Sequence, residues 1–191
     1  MGIVARVLLI ALTIGPLAMA EAAGQQQPTE QPSVFTTPEE QPVAAELIAE
    51  HASVRPGGQT RIGVHFDIED GWHIYAKEPG DAGLPTKVIW TSLLRDAIVT
   101  QFEWPPAQEF IDPGEIHTFG YSGTLVLAAT LSTTSEVSVA AIPITAHAEW
   151  LACKEICLPG KADLSLALPV SPNTPVPSTH VELFAQTTWS P

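Results

Sequence analysis

The sequence predicts an all-β chain, an immunoglobulin-like antiparallel β-sandwich, and three observations predict it. Apolar and polar residues alternate with period two along several stretches, the pattern of strands with one buried face. Turn-forming clusters separate those stretches: Pro56-Gly57-Gly58, Pro79-Gly80-Asp81, Asp112-Pro113-Gly114 and Pro159-Gly160. Eighteen prolines in 191 residues disfavour a helical bundle, because proline breaks helix interiors. About eight strands at this spacing, with no amphipathic helices to act as crossovers, leave no room for a parallel α/β fold.

The first twenty residues, MGIVARVLLIALTIGPLAMA, hold one basic residue, Arg6, then an apolar run from Val7 to Ile14. Gly15 and Pro16 break the run, and Ala18-Met19-Ala20 places small residues at −3 and −1 of a cleavage site. This three-part pattern predicts a signal peptide over 1–20. The run is short for a span of about 20 residues, and no later stretch suits a bilayer, so no stable membrane insertion is expected. Export would place the cysteines where a disulfide persists. Residues 21–43, rich in Gln, Pro, Glu and Thr, predict a flexible linker.

The sandwich is expected over 44–171. Ile62, Val64, Phe66 and Ile68 form one apolar face; Ile98, Thr100, Phe102 and Trp104 a second; Leu125, Leu127, Ala129 and Leu131 a third; Leu164, Leu166, Leu168 and Val170 a fourth. Between Glu136 and Trp150 the phase shifts from Val137 and Val139 to Ile142, Ile144, Ala146, Ala148 and Trp150, which predicts a bulge near Ala140-Ala141. Two long connections, 76–86 and 105–118, are rich in Pro, Gly and acid, and such loops are more often functional than idle. Residues 172–191 read as a Pro-rich tail. Its last dozen residues suit either a helical turn or two, or docking on a sandwich edge.

Eight Lys+Arg against 21 Asp+Glu give a net charge of −13, which repels phosphate and argues against a nucleic-acid partner. Trp72, Trp90, Trp104 and Trp150 read as packing residues. His51, His65 and His180 suit solvated or hydrogen-bonded positions. No Ser-His-Asp set, phosphate-cradling glycine loop or paired-carboxylate motif stands out, and no cofactor is expected.

The chemistry concentrates on Cys153 and Cys157. An extended strand would hold their Cα atoms roughly 13 Å apart, whereas a disulfide needs about 4.4–6.8 Å. A bond therefore requires a turn within Lys154-Glu155-Ile156. Three readings compete. As a structural staple of a non-catalytic interaction domain, a five-residue ring contributes only about 2 kcal/mol, against nearly 5 for a hundred-residue loop. As a soft-metal site, the thiolates would bind Cu(I) with a third donor such as His147 or His117. As a redox pair, one thiolate attacks and the other resolves. Lys154 favours thiolate formation electrostatically, and Glu149 and Glu155 oppose it. Redox is the leading reading.

Gly71-Trp72-His73-Ile74-Tyr75, Pro79-Gly80-Asp81-Ala82-Gly83-Leu84-Pro85 and Trp90 resemble the N-terminal domain of the thiol:disulfide interchange protein DsbD and its ScsB-type relatives. Trp104-Pro105, Phe119-Gly120-Tyr121-Ser122-Gly123 and Trp150 through Cys153 to Gly160 continue the match in the same order, over about residues 45–170. The resemblance implies a periplasmic thiol–disulfide oxidoreductase module that receives electrons through membrane and thioredoxin-like domains. It passes them to thioredoxin-like or disulfide-isomerase partners, in settings such as cytochrome c biogenesis or copper tolerance. Cys153 and Cys157 match the redox pair, with Cys157 the cysteine that forms mixed disulfides. Phe119 matches the aromatic of the cap loop that shields the sulfurs. Tyr75 matches an aromatic beside the active site, and His73 occupies a neighbouring position often filled by Tyr. Acids of some family cap loops are replaced by His117 and Thr118. No segment matches the family's transmembrane or thioredoxin-like domains, so a separate membrane electron carrier is expected.

Overall fold

A computed structural model describes residues 41–92, 95–112 and 114–185. The expected signal peptide at 1–20 and all but the last residues of the expected linker at 21–43 lie outside the described residues. The chain forms two antiparallel sheets packed face to face. The first has the order β1-β2-β8-β5, built from β1 (Val43–Ala49), β2 (Gln59–Ile68), β8 (Thr124–Thr133) and β5 (Ala97–Val99). Alternation dictates its inner face. Ile62, Val64, Phe66 and Ile68 of β2 and Leu125, Leu127, Ala129 and Leu131 of β8 are all buried, and the register sets Val64 opposite Leu127 and Phe66 opposite Leu125.

The second sheet has the order β10-β9-β3-β7-β6, with β4 also paired to β9. Its strands are β3 (His73–Gly80), β4 (Lys87–Ser92), β6 (Gln108–Asp112), β7 (Ile116–Tyr121), β9 (Ala141–Cys153) and β10 (Cys157–Pro169). The long strand β9 organises it. On one side β9 pairs with β10 from Ala141↔Pro169 to Cys153↔Cys157. On the other its middle pairs with β4, and its last two residues pair with the start of β3. Ile142, Ile144, Ala146, Ala148, Trp150 and Ala152 face the core and are buried. The Trp150 ring meets Phe66 of the first sheet edge-on at 5.5 Å. Such an aromatic contact adds about 0.5–1.5 kcal/mol beyond area burial.

The outer face of the first sheet is also covered. Helix α1 (Val181–Ala185) places Phe184 against Ile48, Val126 and Ala128, which alternate with core positions. Arg61, paired with Glu50 at 2.7 Å, lies over the Phe184 ring at 5.3 Å. The preceding segment is tied to the end of β1: Val176 and Glu50 carbonyls accept the N–H groups of Ala52 and Ser178.

Several expectations are corrected. Among the described residues the sheets hold ten strands, in part because the connection at 105–118 contains β6 and the first half of its hairpin partner β7. Val43 opens β1 and belongs to the sandwich. The stretch 98–104 is not one strand: β5 ends at Val99 and inverts the expected phase, with Ala97 buried and Ile98 exposed. The phase shift before β9 comes from an irregular loop over 134–140, not a bulge. Pro79-Gly80 ends β3, and Pro159-Gly160 lies within β10. A Cβ on Gly160 would sit 2.3 Å from the Trp150 indole, so this glycine serves an aromatic beneath it and not a turn. The start of the Pro-rich tail is tied to the sandwich, with the Ser171 N–H donating to the Val54 carbonyl and the Ser178 N–H to that of Glu50.

Candidate functional site

Residues Lys154-Glu155-Ile156 close the β9–β10 hairpin, so Cys153 and Cys157 become the last facing pair of its ladder. Their Cα atoms are 4.1 Å apart and a disulfide joins them. The turn is a β-hairpin loop, braced by the Lys154 N–H donating to the Ile156 carbonyl at 3.0 Å. The two cysteines differ in exposure. Cys153 is 3% exposed, whereas Cys157 and the three loop residues before it are open to solvent.

The cover over Cys153 comes from β3. His73 is its register partner, and in an antiparallel ladder such partners share a face. Tyr75, two residues on, projects the same way and donates its hydroxyl to the Cys153 Sγ at 3.3 Å. The Tyr75 ring is held by its neighbours. His73 meets it edge-on at 5.2 Å. Gly83, at φ +94°, lies flat against it, and a Cβ there would be 2.4 Å from the ring. Only glycine suits that position, both for its backbone conformation and for the space. Phe110 of β6 stacks on His73 at 4.4 Å.

Phe119 is brought elsewhere. It lies on β7, not in a loop, and its odd-numbered position sets it on the face opposite Gly120, the register partner of Tyr75. There it lines an open cavity of about 540 Å³ with Ala76, Trp104, Ala107 and Tyr121. The Tyr121 hydroxyl donates to the Pro105 carbonyl at 2.8 Å, and burial pushes its pKa up to about 12. The aromatic stacked on His73, the register partner of Cys153, is Phe110, which the sequence reading did not name. Its signal was available: Asp112-Pro113-Gly114 between two alternating runs is a hairpin signature.

The charged candidates are also distributed. The Lys154 ammonium reaches back to the Asp70 carbonyl at 3.3 Å. His117 shares a 2.7 Å contact with Glu109, and its N–H donates to Asp81. This joins the β6–β7 hairpin to the loop that carries Gly83. His147 sits on β9 between Asp163 and Glu149, whose hydrogen bonds raise its pKa. It lies six strand positions from Cys153, about 20 Å, so the Cu(I) set of Cys153, Cys157 and His147 is not assembled. Among the described residues, no group of three or more His, Cys, Asp or Glu side chains is placed to hold a metal ion. The imidazole facing the pair is His73.

The family model described as thiol:disulfide interchange protein DsbD, N-terminal, matches residues 39–169. Among solved structures, the N-terminal periplasmic domain of ScsB from Proteus mirabilis superposes with a TM-score of 0.53 at 21% identity. The match covers 80% of this chain and 56% of that one, so the chain spans little more than half of that relative. At this identity the likeness is one of fold. The reduced DsbD N-terminal domain of Neisseria meningitidis is 16% identical with a TM-score of 0.33, covering 71% of this chain and 90% of that one. No curated protein matches the chain. Among the described residues, no helix is long and apolar enough to cross a membrane.

Proposed function

The chain belongs to the family of the N-terminal domain of the thiol:disulfide interchange protein DsbD, and from that premise we propose that it exchanges a dithiol for a disulfide with a protein partner through Cys153 and Cys157. One observation carries the assignment of roles: of two bonded sulfurs, one is open and the other is buried beneath Tyr75. Exchange requires an accessible sulfur for the incoming chain and a second, close enough to release it. Cys157 meets the partner, and Cys153 resolves the mixed disulfide. The Tyr75 hydroxyl stabilises the charge on Cys153 whenever that sulfur leaves or attacks as a thiolate, since hydrogen bonds to charged groups are the stronger kind.

The expected partner is a periplasmic thioredoxin-like or disulfide-isomerase protein, and a separate membrane carrier supplies the electrons. Trapping tests the roles. Cys153→Ser accumulates a mixed disulfide through Cys157 when mixed with an oxidised thioredoxin-like protein, and Cys157→Ser traps little. Equal trapping by both variants refutes the assignment. The redox poise is a second check. An exchangeable bond titrates above about −300 mV in a dithiothreitol series, and one that resists reduction beyond that value is a staple.

A further inference from the structure

We propose that His73 accepts the proton of Cys153 when that thiol resolves the mixed disulfide, a role that rests on the exchange reaction above. The ladder sets His73 directly opposite Cys153, so their Cβ atoms are about 4.5–5.5 Å apart on one face. Both are almost fully buried, at 6% and 3% exposure. The imidazole is held between Phe110, stacked on it, and the edge of Tyr75.

The need for a base follows from burial. The thiolate, not the thiol, is the nucleophile, and burial disfavours the charged form. To attack, Cys153 must lose its proton beneath the side chains that cover it. Among the described residues, the ladder sets His73 beside it as the acceptor we assign. Tyr75, on the same strand, donates its hydroxyl to the sulfur. Phe110, from β6, carries no charge. Lys154, from the hairpin loop, donates to the Asp70 carbonyl. Asp81, from the Gly83 loop, accepts the His117 N–H, and His117 and Glu109 lie on the other face of the β6–β7 hairpin. A histidine exchanges its proton near neutrality.

The step balances. His73 takes the proton from Cys153, and the freed sulfur electron pair forms the Cys153–Cys157 bond. The bond from Cys157 to the partner sulfur breaks, its electron pair leaving on the partner thiolate. The dithiol is oxidised and the partner disulfide is reduced. The imidazolium then gives up its proton to the departing thiolate or to water. In the reverse direction His73 protonates Cys153 as it leaves.

The experiment mixes reduced protein with oxidised glutathione at pH 5.5–9, quenches in acid and follows the Cys157–glutathione adduct by mass spectrometry. His73→Gln and His73→Phe are compared with the parent, the phenylalanine retaining a ring against Phe110. Both variants form the adduct at the parent rate but resolve it about 100-fold more slowly near pH 7, the scale of general-base catalysis. The gap closes as the pH approaches that of direct thiol ionisation. Adduct formation with an unchanged resolution rate and pH profile overturns the His73 assignment alone. Absence of any adduct in the parent overturns the exchange reading together with it.

Discussion

Reducing the Cys153–Cys157 bond should cost the fold little, and the amount can be worked out. The bond joins residues four apart, closing a five-residue ring. In the chain-entropy model such a ring contributes about 2 kcal/mol at 25 °C, by restricting the unfolded chain. Nothing else in the hairpin depends on it, because the β9–β10 ladder runs on to Ala141↔Pro169. For a domain of this size, 1 kcal/mol shifts the melting temperature by about 2–4 °C, so reduction should lower it by about 4–8 °C. Thermal unfolding followed by circular dichroism, with and without a phosphine reductant, measures this directly. Reduction avoids placing a hydroxyl in the buried Cys153 site, as a serine variant would. Loss of β structure at 25 °C on reduction, or a fall beyond about 15 °C, would refute the reasoning and make the bond a structural necessity.

The other predictions concern the surroundings of the pair and the two faces of the sandwich. Gly83→Ala adds a Cβ against the Tyr75 ring at a positive φ, so it should cost about 1–3 kcal/mol and raise the alkylation rate of reduced Cys153. The Arg61 hydrogen bond holds the Glu50 carboxyl below its ordinary value. That stabilisation is present above pH 4.5 and is lost as the pH falls through the lower folded value. Glu50→Gln should therefore lose about 0.5–1 kcal/mol at pH 7 in urea titrations, and the difference should shrink as the pH falls below 4.5. His147, raised by Asp163 and Glu149, has the opposite sign. Its contribution is complete below pH 6.5 and fades as the pH rises through the raised folded value, so His147→Gln should flatten the melting temperature across that window. Phe184→Ala should release α1 at a local cost of about 3 kcal/mol, seen as faster hydrogen exchange over 176–185, with the sulfur chemistry unchanged.

The architecture was legible wherever a strand had one wet and one dry face. β2, β9 and β10 show the expected alternation, because their inner positions fill a core and their outer ones are more open; on β8 the inner positions are as expected, and the outer Val126 and Ala128 are buried beneath Phe184. The reading failed where glycine and proline served packing instead of punctuation. Gly160 makes room for Trp150, and Pro79-Gly80 ends a strand whose irregular pairing with β7 lies between Tyr75 and Gly80. The 98–104 stretch failed for a different reason. Apolar residues there, such as Ile98, stay exposed, and an exposed apolar side chain carries no periodic signal of burial. At the site, Cys153, Cys157, Tyr75 and His73 lie together on one face of the second sheet. Phe119 does not, because a one-residue step along β7 reverses the face, and the sequence alone could not set its register against β3.

The placement of α1 has a practical consequence for handling the protein. Phe184 is anchored on the outer surface of the β1-β2-β8 layer, while Cys157 opens from the far side of the other layer. A dye or solid support coupled to α1 itself starts from the layer that does not carry the reactive sulfur. An immobilised domain would thus present Cys157 toward solution, and a soluble thiol protein could approach it from the unobstructed side.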